Sequence, residues 1–299
     1  MFLPIGDSNR LKRIPFQLTT ASLVCACVIV YLYQLGLPHP QDIAFIYGYG
    51  AVPSVLVGED TLSASIPAAP SWATPLTYQF LHGGFFHLLG NMLFLWVFGD
   101  NVEDSMGHLR FLGFYLLCGV LAFGAHMIGV GLSQQPLIGA SGAVSGVIAA
   151  YLMLYPRGRV LILAFNWLPI RLPVWLVLGF WIGLQIFSFA NAADDGVAWL
   201  AHIGGLAAGA ALLPFFKAKE VPLFQRAPVA ATPTPDAPVS EGAAEVRPER
   251  ETRPAGEGAE DRPAQRRSGS VPPSGGQGAR SSDRAARGPW EGGDGPPRA

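Results

Sequence analysis

Apolar residues in this chain fall into long runs separated by short polar stretches. A helix that crosses the hydrocarbon core of a bilayer needs about 20 residues, because each residue rises about 1.5 Å. Six runs come close to that length, and they lie at 16–36, 84–100, 111–131, 140–155, 173–190 and 197–216. The pattern predicts an all-α polytopic membrane protein with six transmembrane helices.

Composition divides the chain into an N-terminal segment at 1–13, an apolar domain at 14–216 and a polar tail at 217–299. The tail holds 13 of the 26 prolines, 12 of the 21 acidic residues and 13 of the 20 basic residues. Such a segment buries too little apolar area to offset the entropy of ordering, so we expect it to be disordered. The net charge of −1 averages two unlike regions and indicates no class of partner.

Basic residues predict the orientation of the helices, because cytoplasmic loops carry an excess of Lys and Arg. With the N-terminus in the cytoplasm, the bases after the second, fourth and sixth runs also lie there, whereas the opposite loops carry acids and no base. The cytoplasmic bases are Arg10, Lys12, Arg13, Arg110, Arg157, Arg159, Arg171, Lys217 and Lys219, and the opposite acids are Asp42, Glu59, Asp60, Asp194 and Asp195. We therefore expect both termini in the cytoplasm.

Two segments allow more than one interpretation. The first apolar run follows basic residues, as a signal peptide does, but it is longer than an ordinary signal sequence and no cleavage site follows. A signal anchor is therefore favoured. The segment 37–83 fits either an apolar loop at the membrane interface or a plain connector.

Four polar side chains fall at one depth of the predicted membrane domain. Ser141 begins the fourth run, His202 lies about 8 Å along the sixth, and His87 and Asn91 share one face near the start of the second. All three runs enter from the outside, so these residues occupy the outer half of the bilayer. Ionisable groups in hydrocarbon are costly and indicate a functional site.

Small residues predict that the fourth and sixth helices touch. Pairs of glycines spaced by four permit close helix contact, and the two pairs are Gly142 with Gly146 and Gly205 with Gly209. Packing alone explains such pairs. A serine at the head of one pair and a histidine near the head of the other favour a contact that also builds a site.

The chemistry of these residue types is acyl transfer. A serine hydroxyl becomes a nucleophile when a base removes its proton, and neutral imidazole suits that role. The Ser141 amide at a helix N-terminus, with His87 and Asn91, would supply donors for an oxyanion. No Asp or Glu in a run faces His202, which predicts a Ser-His dyad. Alternatives are a structural hydrogen bond for His202 or Asn91, and Ser145 as the nucleophile.

His82 and His87 lie five residues apart and raise the question of a metal. No HExxH motif and no further cluster of ligands accompany them. We therefore expect neither a metal nor another cofactor.

The motifs at these residues closely resemble those of the rhomboid family of intramembrane serine proteases. They are Gly139-Ala140-Ser141-Gly142, the run Ala201-His202-Ile203-Gly204-Gly205 with Gly209, and the stretch from His82 to Met92 that holds His87 and Asn91. The resemblance covers roughly residues 14–216. Two features differ: Trp72 is followed by Ala73 where many members have Arg, and Ser145 stands where an aromatic residue often packs on the catalytic histidine.

The resemblance implies a six-helix rhomboid-like bundle in which Ser141 is the nucleophile, His202 the general base, and His87, Asn91 and the Ser141 amide the oxyanion site. It implies cleavage of single-span membrane proteins in or near their transmembrane segment, and a partly embedded loop between the first two helices. Glu103 occupies the place of a structural glutamate.

We therefore expect an intramembrane serine endopeptidase with transmembrane protein substrates, lipid contacts and no nucleic-acid partner. A bacterial inner membrane, with the site toward the extracytoplasmic side, is the expected location. The alternative is a non-catalytic relative that binds transmembrane helices, although such proteins would be expected to lose the serine or the histidine. A channel or transporter would scatter ionisable residues through the whole bilayer depth.

Overall fold

The computed structural model describes residues 2–164, 168–191 and 198–225. The described chain is mostly helical. Its α-helices are α1 Leu18–Gly36, α2 His39–Tyr49, α3 Pro53–Leu56, α4 Thr74–Thr77, α5 Phe85–Met106, α6 His108–Val130, α7 Ser141–Leu154, α8 Val174–Ala190 and α9 Trp199–Phe216. Each of the six predicted apolar runs coincides with one helix, namely α1 or α5 to α9.

Three helices, α1, α6 and α9, are long and apolar enough to cross a membrane on their own. The segments Ser71–Phe80 and Phe85–Met106 form a further span only if taken together, and they are bent by 83°. The apolar helices α7 and α8 have 14 and 17 residues. Within the residues that the structure describes, length and composition therefore give three or four spans, and the predicted count of six is not confirmed.

A small antiparallel sheet departs from the all-α expectation. Its strands are β1 Phe2–Asp7, β2 Arg159–Ala164 and β3 Leu168–Pro173, in the order β1-β2-β3. Leu3 pairs with Leu163 and Arg159 with Pro173, and the register of β1 shifts between Pro4 and Gly6. β1 lies far from β2 in the sequence, so no local pattern reveals that pairing.

Two segments predicted to lack regular structure make ordered contacts. The segment 37–83 is more than a connector, because it forms α2, α3 and α4, and Ala51 exchanges backbone hydrogen bonds with Leu137. The tail was expected to begin at residue 217, yet the amides of Phe224 and Gln225 donate to the carbonyls at the end of α7. The rest of the predicted disordered tail, and the acids Asp194 and Asp195, lie outside the described residues.

Helices α7 and α9 meet backbone to backbone. A Cβ atom built on Gly205 would lie 2.0 Å from the carbonyl oxygen of Gly142, and one on Gly209 would lie 2.2 Å from that of Gly146. The two pairs occur in the same order along both helices, so α7 and α9 run parallel. Only glycine permits this separation, and the glycines at this contact are those of the two small-residue pairs.

The opposite end of the bundle is held by two adjacent carboxylates at the end of α5. Glu103 accepts from the backbone amides of Thr19 and Thr20, both at 2.8 Å, and it contacts His108 Nδ1 at 2.5 Å. The N-cap residue of α1 offers no side-chain cap, so Glu103 satisfies amides that the first turn leaves without intrahelical partners. Asp104 accepts from the amides of residues 12, 13 and 14.

We expect Gly205→Ala to lower the free energy of unfolding by about 2–3 kcal/mol, because the new methyl group overlaps backbone that cannot rotate away. Thermal unfolding in detergent measures the change. Gly179→Ala on α8 is the control, since nothing lies within 4 Å of its Cβ position. Equal melting temperatures for the two variants would refute the close contact.

We expect Glu103→Gln to cost about 2–3 kcal/mol, because hydrogen bonds to a charged acceptor are lost and an amide NH₂ then faces the donors of α1. Glu220→Gln is the matched control. Glu220 lies 3.6 Å from Arg13 and its side chain is 72% exposed, so its loss should change stability little. Chemical denaturation of both variants tests the difference, and a cost no larger than that of the control contradicts the capping role.

Candidate active site

Ser141 is the first residue of α7 and its most accessible position in the first turns. Ser141 is partly exposed, whereas residues 142–150 are buried. The preceding loop is anchored by the Gly139 amide, which donates to the carbonyl of Tyr78 at 2.9 Å. The hydroxyl of Ser141 therefore stands at a helix N-terminus, where backbone amides have no partners within the helix.

The imidazole of His87 lies against the backbone of this loop. A Cβ atom built on Gly139 would lie 2.7 Å from both Cε1 and Nε2 of His87. Gly139 also has φ +116°, a conformation that side chains strain. Both constraints require glycine two residues before Ser141, and the His87 ring lies against the loop that leads into α7.

Asn91 follows one turn later on α5 and is buried. Its Nδ2 donates to the carbonyl oxygen of His87 at 3.0 Å, which uses one of its two N–H groups. The His82 ring contacts the His87 ring edge-on at a centroid distance of 5.2 Å. Within the described part of the chain, no group of three or more His, Cys, Asp or Glu side chains is arranged to hold a metal ion.

His202 lies in the first turn of α9 and is 9% exposed. Its Nδ1 is 3.1 Å from Oε1 of Gln185 on α8. The Trp181 ring stacks on the imidazole at 6.3 Å and 28°, and the Trp199 ring meets it edge-on at 5.9 Å. Three side chains thus contact the His202 ring. The sequence alone did not predict which residues would hold this ring in place.

Sequence reasoning missed Gln185 and Trp181. The sequence does contain an indication of Gln185. Apart from Ser188 it is the one polar residue in the apolar helix α8, and a polar side chain in such a helix usually forms a hydrogen bond to a neighbouring element. An amide oxygen accepts a hydrogen bond from imidazole as a carboxylate does, so the partner of a histidine need not be charged.

The glycine contact brings the serine and histidine ends of α7 and α9 together. A Cβ atom on Gly142 would lie 3.7 Å from the carbonyl oxygen of Ala201. The residues next to Ser141 and His202 in the sequence therefore lie close together where α7 and α9 pack. Because an amide oxygen only accepts, the ring nitrogen that faces Gln185 carries the hydrogen. The lone pair of His202 is then on Nε2 and can accept a proton.

Ser145 has a different environment. It is fully buried, and its hydroxyl donates to the carbonyl oxygen of Ser141 at 2.7 Å. This bond to the preceding turn is common for serine inside helices. The hydroxyl of Ser145 is thus hydrogen-bonded within α7 and buried, whereas Ser141 is partly exposed to solvent.

Comparison with known proteins identifies similar chains. The family model described as Rhomboid domain matches residues 69–219. The Rhomboid protease GluP of Bacillus subtilis is 34% identical over 145 residues, covering 48% of this chain and 26% of that protein. The mitochondrial Rhomboid protein 1 of Saccharomyces cerevisiae is 31% identical over 214 residues, covering 69% of this chain and 55% of that protein.

A mammalian protein is similar over a shorter stretch. The mitochondrial presenilin-associated rhomboid-like protein of Bos taurus is 31% identical over 122 residues, which cover 40% of this chain and 32% of that protein. The aligned parts span less than two thirds of the length of each of these three relatives.

We expect Gly139→Ala to slow labelling of Ser141 by a fluorophosphonate about 100-fold, because the methyl group strains the loop before α7 and displaces His87, which the sequence predicts as an oxyanion donor. Gly90→Ala on the same helix as His87 is the control, since its Cβ position is open. Labelling of the Gly139 variant at the rate of the control would contradict the expected dependence of the reaction on the contact between Gly139 and His87.

Proposed function

We propose, from the premise that this chain belongs to the rhomboid family, that it is an intramembrane serine endopeptidase. The family model matches about half of the chain, and the apolar helices make it an integral membrane protein. The proposed substrates are single-span membrane proteins, cut in or near their transmembrane segment. One relative is named as a protease, and its alignment covers 48% of this chain.

A single observation supports the proposal. The partly exposed Ser141 begins the buried helix α7, and α7 packs against α9, whose His202 contacts Gln185. In the proposed reaction, Nε2 of His202 removes the proton of the Ser141 hydroxyl as Oγ bonds to the scissile carbonyl carbon. The resulting imidazolium then protonates the leaving amine as the C–N bond breaks. Water, activated by the same imidazole, hydrolyses the acyl-enzyme and restores Ser141.

The proposed oxyanion site consists of the Ser141 amide, His87 and Asn91. Its support is geometric. The His87 ring touches Gly139, and Asn91 keeps one N–H beyond the bond to its own helix. Donors held in advance toward a developing charge are the largest contribution to many acyl transfers.

The proposal includes six spans, cytoplasmic termini and an active site near the outer face. With 14 residues, α7 is about 21 Å long, shorter than a hydrocarbon core of about 30 Å. If α7 ends at the cytoplasmic face, Ser141 lies about 9 Å below the outer face. Water can reach Ser141 from that face through the loop that precedes α7. A bacterial cell membrane is the proposed location, supported by the relative from Bacillus subtilis.

We expect Ser141→Ala to reduce cleavage of a fluorogenic transmembrane substrate by at least about 10³-fold, because the nucleophile is removed. The full chain in proteoliposomes is the sample, and peptide mass spectrometry maps fluorophosphonate labelling. Ser145→Ala is the matched control, one turn along the same helix, and should keep activity within about threefold while losing one hydrogen bond.

Two outcomes contradict the assignment. Undiminished cleavage by the Ser141 variant would remove its role as nucleophile. Loss of cleavage and labelling in the Ser145 variant, with Ser141→Ala unaffected, would assign the reaction to Ser145.

A further inference from the structure

We infer that Gln185 of α8 is a positioning residue for His202, and that Trp181 on the same helix supports the ring from its face. The inference rests on the proposed function and concerns how the general base is held. In this chain α8 supplies the support, because the side chain one turn after the nucleophile is a serine bonded to the carbonyl of Ser141.

The hydrogen bond between Gln185 and His202 is the first observation. Gln185 is 5% exposed and His202 is 9% exposed, so water competes little for either group. Oε1 lies 3.1 Å from Nδ1, within the range of an N–H···O bond. A primary amide among apolar side chains is costly unless it is bonded, and this contact uses its acceptor.

The ring stack is the second observation. Trp181 and Gln185 are four residues apart, so they project from one face of α8. The Trp181 indole lies nearly parallel to the imidazole, at 28°, while the Gln185 amide meets the ring edge. A stack fixes the plane of the ring and a bond at Nδ1 fixes its rotation, so the two contacts together determine where Nε2 points.

The bond has a consequence for the proton transfer. Before reaction, Nδ1–H donates to Gln185 and the lone pair resides on Nε2. When Nε2 takes the hydroxyl proton of Ser141, the ring becomes cationic and the Nδ1–H···O bond becomes charge-assisted and stronger. Gln185 therefore stabilises the charged ring more than the neutral ring, and it lowers the barrier without touching the substrate.

Trp181 also lines a cavity, and this affects which substitution makes the better test. Its ring lines an apolar cavity of about 470 Å³ beside α5, together with Phe94, Phe180 and Leu184. A substitution at Trp181 would change this cavity as well as the stack. Gln185 does not line it, so variants of Gln185 separate support of the base from effects on the cavity.

The test compares three substitutions of Gln185 in the full chain. Gln185→Met removes the acceptor at nearly constant length. Gln185→Asn keeps a buried amide but withdraws it by one methylene, which serves if the methionine variant does not fold. Gln185→Glu keeps an oxygen at the same reach. The measurements are kcat and KM for a transmembrane substrate, the rate of fluorophosphonate labelling of Ser141, and the melting temperature.

We expect Gln185→Met and Gln185→Asn to lower kcat and the labelling rate about 10- to 100-fold with KM within about twofold, because the lost interaction acts in the transition state. Gln185→Glu should restore both rates to within about threefold of the parent. The matched control is Gln34→Met, which removes a glutamine that is also 5% exposed but bonds to Asp42 and the His82 amide. It should lower the melting temperature and leave kcat unchanged.

Labelling of the Gln185→Met or Gln185→Asn protein at the parent rate would overturn the inference. So would a Gln185→Glu variant that folds and is as slow as Gln185→Asn. These results are distinct from failure of the proposed function, since Ser141→Ala would still abolish cleavage. If Ser141→Ala is active, the proposed function fails first.

Discussion

The close approach of α7 to α9 is the constraint on which the rest of the site depends. The carbonyl oxygens of Gly142 and Gly146 lie where side chains on Gly205 and Gly209 would begin. In a bilayer the helices gain little from hydrophobic burial, because lipid is as apolar as their side chains, so van der Waals contact and bonding drive association. Glycine allows the nearest such contact, and it aligns the N-terminal ends of two parallel helices that carry Ser141 and His202.

The helix α8 stands in contrast to this tight pair. Many of its large apolar side chains are exposed, among them Trp175, Phe180 and Phe187. An integral membrane protein turns such residues toward lipid. The inner face of the same helix carries Gln185 and Trp181, which contact His202. Ser141 therefore belongs to the most buried helix of the candidate site, and His202 contacts a helix at the edge.

Charged groups are concentrated at the other end of α5, away from Ser141. Glu103 and Asp104 bond to backbone amides of the N-terminal segment and of α1. Asp7 of β1 accepts from Tyr151 on α7 and from Asn101 on α5, and burial raises the pKa of this carboxyl. These contacts join the first residues of the chain to the helix that begins with Ser141, and they hold its far end.

Local pattern alone determined the positions of six apolar helices and the residues of the candidate site. Helix periodicity, apolar length and glycine spacing act within one turn or one run, so Ser141, His202, His87 and Asn91 could be proposed as site residues without coordinates. Tertiary structure decided what depends on distant partners: the pairing of β1 with β2, the helices of 37–83, the return of residues 224 and 225 to α7, and the support of His202 by Gln185. A side chain's type limits the bonds it can make, but which partner lies 3 Å away is set only when separate helices pack.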